Sequence, residues 1–166
     1  ATEVINCFAE KYKKSWFGMM RKKLGLLGED SKDENLIIDL LSWMHQNKAD
    51  YTNTFCFLMN ENIQEDKIYE NQGFISWKQQ WQRRLKLHNN SPEESLKLMG
   101  SANPLVIPRN HKVEEALDAA ATDNDLIQIH NLLNVLKNPY KNNSEITNYQ
   151  SPPPPTNEKY KTFCGT

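Results

Sequence analysis

With 166 residues the chain is long enough to bury about 70% of the surface its unfolded form exposes, so a core needs no disulfides. Twenty basic against 21 acidic residues leave a formal charge of −1, which offers no overall attraction for nucleic acid or an acidic membrane. Three cysteines without regular spacing argue against a secreted disulfide framework, and no apolar run approaches the ~20 residues of a membrane span; the expectation is one soluble, mostly helical unit in a reducing, cytoplasmic compartment, where the sequons at Asn89 and Asn142 are accidental.

The opening reads as that of a chain beginning in mid-protein, since Ala1 has no Met before it and Thr2-Glu3 enters a helical pattern directly, although removal of an initiator Met would also leave Ala1. Phe8, Tyr12, Trp16, Met19, Met20, Leu24 and Leu27 fall on one stripe, the buried face of a first helix that Gly25 or Gly28 ends in a left-handed conformation. A second helix follows, with Asp33 as N-cap and Leu36, Ile37, Leu40, Leu41 and Met44 buried. Asp50-Tyr51-Thr52 begins a short third one through Phe55, Phe57, Leu58 and Met59.

Phe74, Trp77, Trp81 and Leu85 recur at three- and four-residue steps and predict a helix rich in Lys and Arg. Ser91-Pro92-Glu93-Glu94 is a capping box with proline in the first turn; it starts a short helix through Leu96 and Met99, with Gly100 as its stop. Residues 103–110 are extended, because the residue before each of Pro104 and Pro108 is pushed out of the helical region. Val113, Ala116, Leu117 and Ala120 make the next helix, Asp123-Asn124-Asp125 a turn, and Leu126, Ile129, Leu133 and Leu136 the last long helix, closed by Asn138-Pro139-Tyr140. Pro152, Pro153, Pro154 and Pro155 then open an arm that ends in Phe163-Cys164-Gly165-Thr166. Four residues of polyproline II cover about 12 Å and the nine that follow add about 30 Å if extended, so the Cys164 thiol can reach far from the helical body.

Few residues point to chemistry of their own. Cys164 is either a spectator thiol on a floppy tail or, with Lys159 and Lys161 near enough to favour the thiolate, a reactive one. Cys7 and Cys56 sit among helical residues and read as core packing. His45, His88, His111 and His130 include no pair at helical ligand spacing and no Cys-x-x-Cys partner, so no metal site is expected; Asp123 and Asp125 read as helix caps rather than metal ligands. Lys11, Lys13, Lys14, Arg21, Lys22 and Lys23 around Tyr12, Trp16 and Phe17 read as an amphipathic helix with its aromatics inward, its charge offset by Glu29, Asp30, Asp33 and Glu34. Arg84 falls near the Trp77 and Trp81 face, where it could stack on an indole or pair with a carboxylate from outside the chain, snorkelling to solvent being the default.

Met20-Arg21-Lys22-Lys23-Leu24-Gly25-Leu26, Asp50-Tyr51-Thr52-Asn53-Thr54-Phe55, Trp81 with Arg84-Leu85, Asn103-Pro104 through Arg109-Asn110, Leu136-Lys137-Asn138-Pro139-Tyr140 and the closing Thr162-Phe163-Cys164-Gly165-Thr166 occur in that order. Together, over nearly the whole chain, they resemble the C-terminal third of the selenoprotein O family. The resemblance implies a kinase-like parent that transfers AMP from ATP to hydroxyl side chains of proteins, using Mg²⁺ and binding the nucleotide in a flipped orientation. It places the ATP and metal residues upstream, so no catalytic, cofactor-binding or metal residue is expected in this chain, which has no glycine-rich phosphate loop and no Asp-Phe-Gly motif. Only Cys164 carries over, at the position where the family has selenocysteine or cysteine. Some members hold a second cysteine just before it; here Phe163 stands there, so a disulfide needs a distant partner.

The fold expected is all-α: a compact bundle of about six to seven helices over residues 1–150, the C-terminal part of a kinase-like protein, followed by a proline-rich extended tail over 151–166. Its partners are then the upstream catalytic region and the parent's protein substrates, in a bacterial-type cytoplasm, with no nucleic acid and no membrane. The job is structural and regulatory, with Cys164 as a reversible tether or redox switch. The competing reading is an independent helical adaptor whose residues 151–155 dock in an aromatic groove of a partner, as proline-rich ligands do.

Overall fold

A computed structural model describes residues 2–59, 67–87, 91–142 and 146–154. Among them the chain is all-helical: α1 (Thr2–Lys23), α2 (Asp33–Asn47), α3 (Tyr51–Met59), a 3-10 turn (Lys67–Glu70), α4 (Gln72–Leu85), α5 (Pro92–Ala102), α6 (Asn110–Asp123), α7 (Ile127–Leu136) and the one-turn α8 (Thr147–Gln150). The 3-10 turn and α8 are too short to show a period in the sequence. None of these helices is long and apolar enough to cross a membrane.

Helix α1 ends as Gly25 allows. Gly25 has φ +67°, its N–H donates to Lys22 O at 3.1 Å, and Leu26 N–H reaches back to Arg21 O at 2.9 Å, the paired bonds of a Schellman motif. A Cβ here would also lie 2.9 Å from both Met99 Cγ and the Ser95 carbonyl, so glycine lets α5 approach as closely as it does. At α5, Ser91 Oγ accepts from Glu94 N–H at 3.1 Å while the Glu94 carboxylate accepts from Ser91 N–H at 3.1 Å, completing the expected capping box. Gly100 does not stop this helix, which runs on to Ala102; a side chain at Gly100 would meet nothing within 4 Å, so the residue imposes no break.

The main core forms where α1 packs on α2 and α5, α2 on α4, and α3 on α5. Met20, Leu24, Ile37, Leu40, Phe55, Phe74 and Met99 are almost fully buried there, each contributing about 1.5–3 kcal/mol. Three indoles bond as they bury: Trp77 donates to Leu36 O at 2.8 Å, Trp81 to Leu24 O at 2.8 Å, and Trp43 to Asn71 Oδ1 at 3.1 Å. Asn71 is also the N-cap of α4, accepting from Gly73 N–H. The stripe expected on α1 is only half correct, because Met20 and Leu24 are buried and Trp16 partly so, but Phe8, Tyr12 and Met19 face outward and the inward aromatic is Phe17. Helix α5 covers only the last turns of α1, so those turns decide which face counts. Asp33 is not the N-cap of α2 either; Lys32 holds that position with no side-chain bond, and Asp33 is the first helical residue.

Residues 103–109 are non-helical and bend at Leu105, with Asn103 at φ −115°, ψ 107° and Arg109 at φ −76°, ψ 129° at the two extended ends. Leu105 is stitched on both sides, its N–H to Pro139 O at 2.7 Å and its carbonyl to Gln150 Nε2 at 2.9 Å. Beyond it α6 and α7 pack as a hairpin, where Asn124 takes φ +53° as the C-cap of α6 and Asp125 Oδ1 accepts from Ile127 N–H at 2.8 Å; the turn is as expected, but Asp123 is the last residue of α6 and Leu126, with no side-chain bond, holds the N-cap of α7. The buried residues of α7 are Leu132 and Val135, whereas Leu126 and Leu133 of the expected stripe are about half exposed and Leu117 on α6 is exposed as well. A small second core of Val106, Val135 and Ile146, flanked by Leu105, Leu136 and Tyr149, joins this region to α8.

Candidate functional site

Two arginines are buried and each is answered by a carboxylate of the chain itself. Arg84 lies on the inward face of α4, one turn beyond Trp81, with only 5% of its side chain exposed beside a fully buried Asp33. Its Nε donates to Asp33 Oδ1 at 2.6 Å and Nη2 to Oδ2 at 3.1 Å, a bidentate pair; Nη2 also reaches Gly28 O at 3.3 Å and Leu27 O at 3.4 Å. Asp30 N–H gives Asp33 a further bond at 3.0 Å. The pair therefore clamps α4 to α2 and closes the loop after α1. Arg84 neither stacks on an indole, nor snorkels, nor waits for an outside carboxylate. Its position on a tryptophan face was the available signal, but the sequence reading of Asp33 as a cap hid the partner.

The second cluster joins α3 to the extended segment. Arg109 donates through Nη1 to Asp50 Oδ2 at 2.7 Å and through Nη2 to Asp50 Oδ1 and Asn53 Oδ1, both at 3.0 Å, while its buried Nε has no acceptor. Asn53 Nδ2 continues to Gln150 O at 3.1 Å, so one network spans α3, residue 109 and α8. Burial would raise the Asp50 carboxyl, but the Arg109 hydrogen bond, the Asn53 N–H and the guanidinium charge outweigh it and hold the group below the ordinary carboxylate value. Lys23 donates to Asn103 Oδ1 at 3.0 Å, Asn103 returns a bond to Lys23 O at 2.8 Å, and the ammonium sits 4.7 Å from the Phe55 ring centroid; burial lowers its pKa.

The chemistry open to these groups is narrow. Cys56 is fully buried with its Sγ 3.6 Å from Pro104 O, and burial, reinforced by the Asp50 charge, pushes the thiol up to about 11, so it is an inert packing group as expected. Cys7, expected in the core, is exposed because the first turns of α1 have no covering helix among the described residues. Cys164 lies outside the described residues, as do Lys159, Lys161, His88 and the last of the four prolines. No three His, Cys, Asp or Glu side chains converge as a metal site among the described residues. An open cleft of about 560 Å³ beside Arg84 is lined by Asp30, Lys32, Asp39 and Arg83, charges of both signs that define no anion or cation site. Lys13 pairs with Glu34 at 2.9 Å and Arg21 with Glu29, the offset expected for the basic end of α1.

The polar clamps are built from the stretches that carry the family resemblance: Lys23 to Asn103, Asp50 and Asn53 to Arg109, Trp81 to Leu24, and Leu105 to Pro139. They fasten helices that lie far apart in the chain.

The profile of the family described as protein adenylyltransferase SelO matches residues 2–137. Three similar relatives carry the name protein nucleotidyltransferase YdiU. That of Pelagibacter ubique is 51% identical over 166 residues, that of Nitrosococcus oceani 47% over 167, and that of Bacillus cereus strain ATCC 14579 44% over 166. In each comparison 100% of this chain is covered but only 34% of the relative, so the chain spans about a third of their length. The chain belongs to the protein adenylyltransferase SelO family.

Proposed function

We propose that this chain is the helical C-terminal portion of a protein adenylyltransferase, which moves AMP from ATP to Ser, Thr or Tyr hydroxyls of protein substrates and releases pyrophosphate. The observation that carries the reading is the SelO match over residues 2–137 in a chain equivalent to 34% of nucleotidyltransferase relatives. Both buried arginines are engaged by carboxylates of the chain itself, Asp33 and Asp50, and no three His, Cys, Asp or Glu side chains converge among the described residues, which supports this reading. On this reading the kinase-like ATP- and metal-binding residues lie upstream, and this chain's part is to complete and brace that catalytic region. Residues 1–150 form the bracing domain and 151–166 the tail, whose Cys164 serves as a reversible tether or redox switch: Cys164 and a distant cysteine of the same polypeptide join in a disulfide as a low-molecular-weight disulfide takes up their two electrons and two protons and leaves as two thiols. The adaptor reading has in its support only the exposure of Pro152, Pro153 and Pro154.

Incubation of the full gene product with ATP labelled at the α-phosphate and, separately, at the γ-phosphate tests the reaction class. Label on protein from the α position alone is expected; label from the γ position identifies a kinase instead and overturns the proposal. Mass-spectrometric mapping of the oxidised gene product tests the tether, which fails if Cys164 stays unpaired under conditions that change activity.

A further inference from the structure

Helix α1 carries two apolar faces, and the core uses one of them. Phe17, Met20 and Leu24 face α2 and α5 from its last turns, while Phe8, Tyr12 and Met19 line the opposite side at four- and seven-residue steps and are 68%, 61% and 38% exposed. The Phe8 and Tyr12 rings stack on each other at 6.3 Å, presenting a continuous aromatic surface. Every described side chain from residue 7 to 15 is exposed. An aromatic stripe left exposed along a helix whose last turns are packed marks a surface for a further partner. Along one edge run Lys11 and Lys22, neither of which pairs with a carboxylate among the described residues.

We propose that the Phe8, Tyr12 and Met19 stripe is the docking surface for the remaining two-thirds of the family polypeptide, which presents to it an apolar groove edged on one side by carboxylates. The inference rests on the reading of this chain as the C-terminal portion of a longer protein. Two facts name the occupant: the stripe lies inside the family match at residues 2–137, and the relatives carry about twice this chain's length besides the part that matches it. The lysine edge supplies the charge complementarity that fixes the register of docking.

Hydroxyl-radical footprinting of the full-length gene product, read by mass spectrometry, compares rings of one kind within one molecule: Phe8 against Phe17 and Phe74, and Tyr12 against Tyr69. Phe8 and Tyr12 are expected to oxidise as slowly as those buried references at every protein concentration. Oxidation of Phe8 severalfold faster than Phe74 overturns the proposal. Protection that fades on dilution, with a doubled mass at high concentration, assigns the stripe to a second copy and also overturns it. In the F8S/Y12S variant of the same polypeptide, oxidation of Met19 is expected to rise severalfold; an unchanged rate counts against the docking. AMP transfer assayed on the same sample separates the two claims, since transfer with a reactive Phe8 removes the docking alone, and a protected Phe8 without transfer removes the function alone.

Discussion

Replacing Arg84 with Met keeps the aliphatic length of the side chain and removes the guanidinium, which isolates the ion pair from the packing around it. Asp33, with 0% of its side chain exposed, would lose bonds of 2.6 and 3.1 Å and keep only the Asp30 N–H at 3.0 Å, while Leu27 O and Gly28 O lose the same donor. Stripping one partner from a buried pair costs about 3–5 kcal/mol, most of it from the charge left behind rather than from the lost attraction. For a unit of this size each kcal/mol lowers the midpoint by about 2–4 °C, so R84M is expected to melt about 6–20 °C below the parent. Thermal unfolding followed by circular dichroism measures this, and Asp33→Leu added to R84M is expected to recover a large part of the loss, because no unpaired charge then remains. A single variant within about 1 kcal/mol of the parent, or a double variant whose loss is the sum of the singles, refutes the clamp.

Gly25→Ala is expected to cost at least about 1–2 kcal/mol for the left-handed backbone, with a further loss as the new Cβ meets Met99 and the Ser95 carbonyl; urea unfolding reads both. Asp50 is held below its ordinary value of 3.8, so its ionised form stabilises the fold above that pH and the benefit drains away as pH falls through the depressed pKa. The parent's stability advantage over Asp50→Asn is accordingly expected to shrink below about pH 4 in acid titrations; an advantage constant from pH 7 to pH 2 contradicts this. Maleimide at neutral pH is expected to label Cys7 in any state where α1 is uncovered and to leave Cys56 untouched until the protein unfolds; labelling of native Cys56 would show that its thiol is neither buried nor raised to about 11.

The all-helical fold and most helix ends were legible because they rest on local chemistry. Gly25, the Ser91 to Glu94 box and Asn103 before Pro104 each act within a turn of themselves, and each does in the structure what its type requires. Choices set by distant chain were not legible. Helix α1 has apolar residues on two sides, and only the position of α5 makes Phe17 inward and Phe8 outward. Helix α7 gathers Ile129, Leu132, Leu133 and Leu136 on one side, but packing selects only an edge of that face, so its buried residues are Leu132 and Val135 while Leu133 is about half exposed. The clamps join residues 51 and 59 positions apart, beyond any local signal, although an arginine one turn from two tryptophans already marked a charge in need of a buried partner. Gly100 shows the opposite error, a residue type read as punctuation where the fold leaves room for a side chain.

Isothermal titration of ATP with Mg²⁺ into the 166-residue chain and into the full gene product tests most directly whether the nucleotide chemistry lies upstream of this region. The account predicts no heat of binding for the chain alone and saturable binding for the long polypeptide. Saturable binding to the isolated chain, or none to the full product, would contradict it.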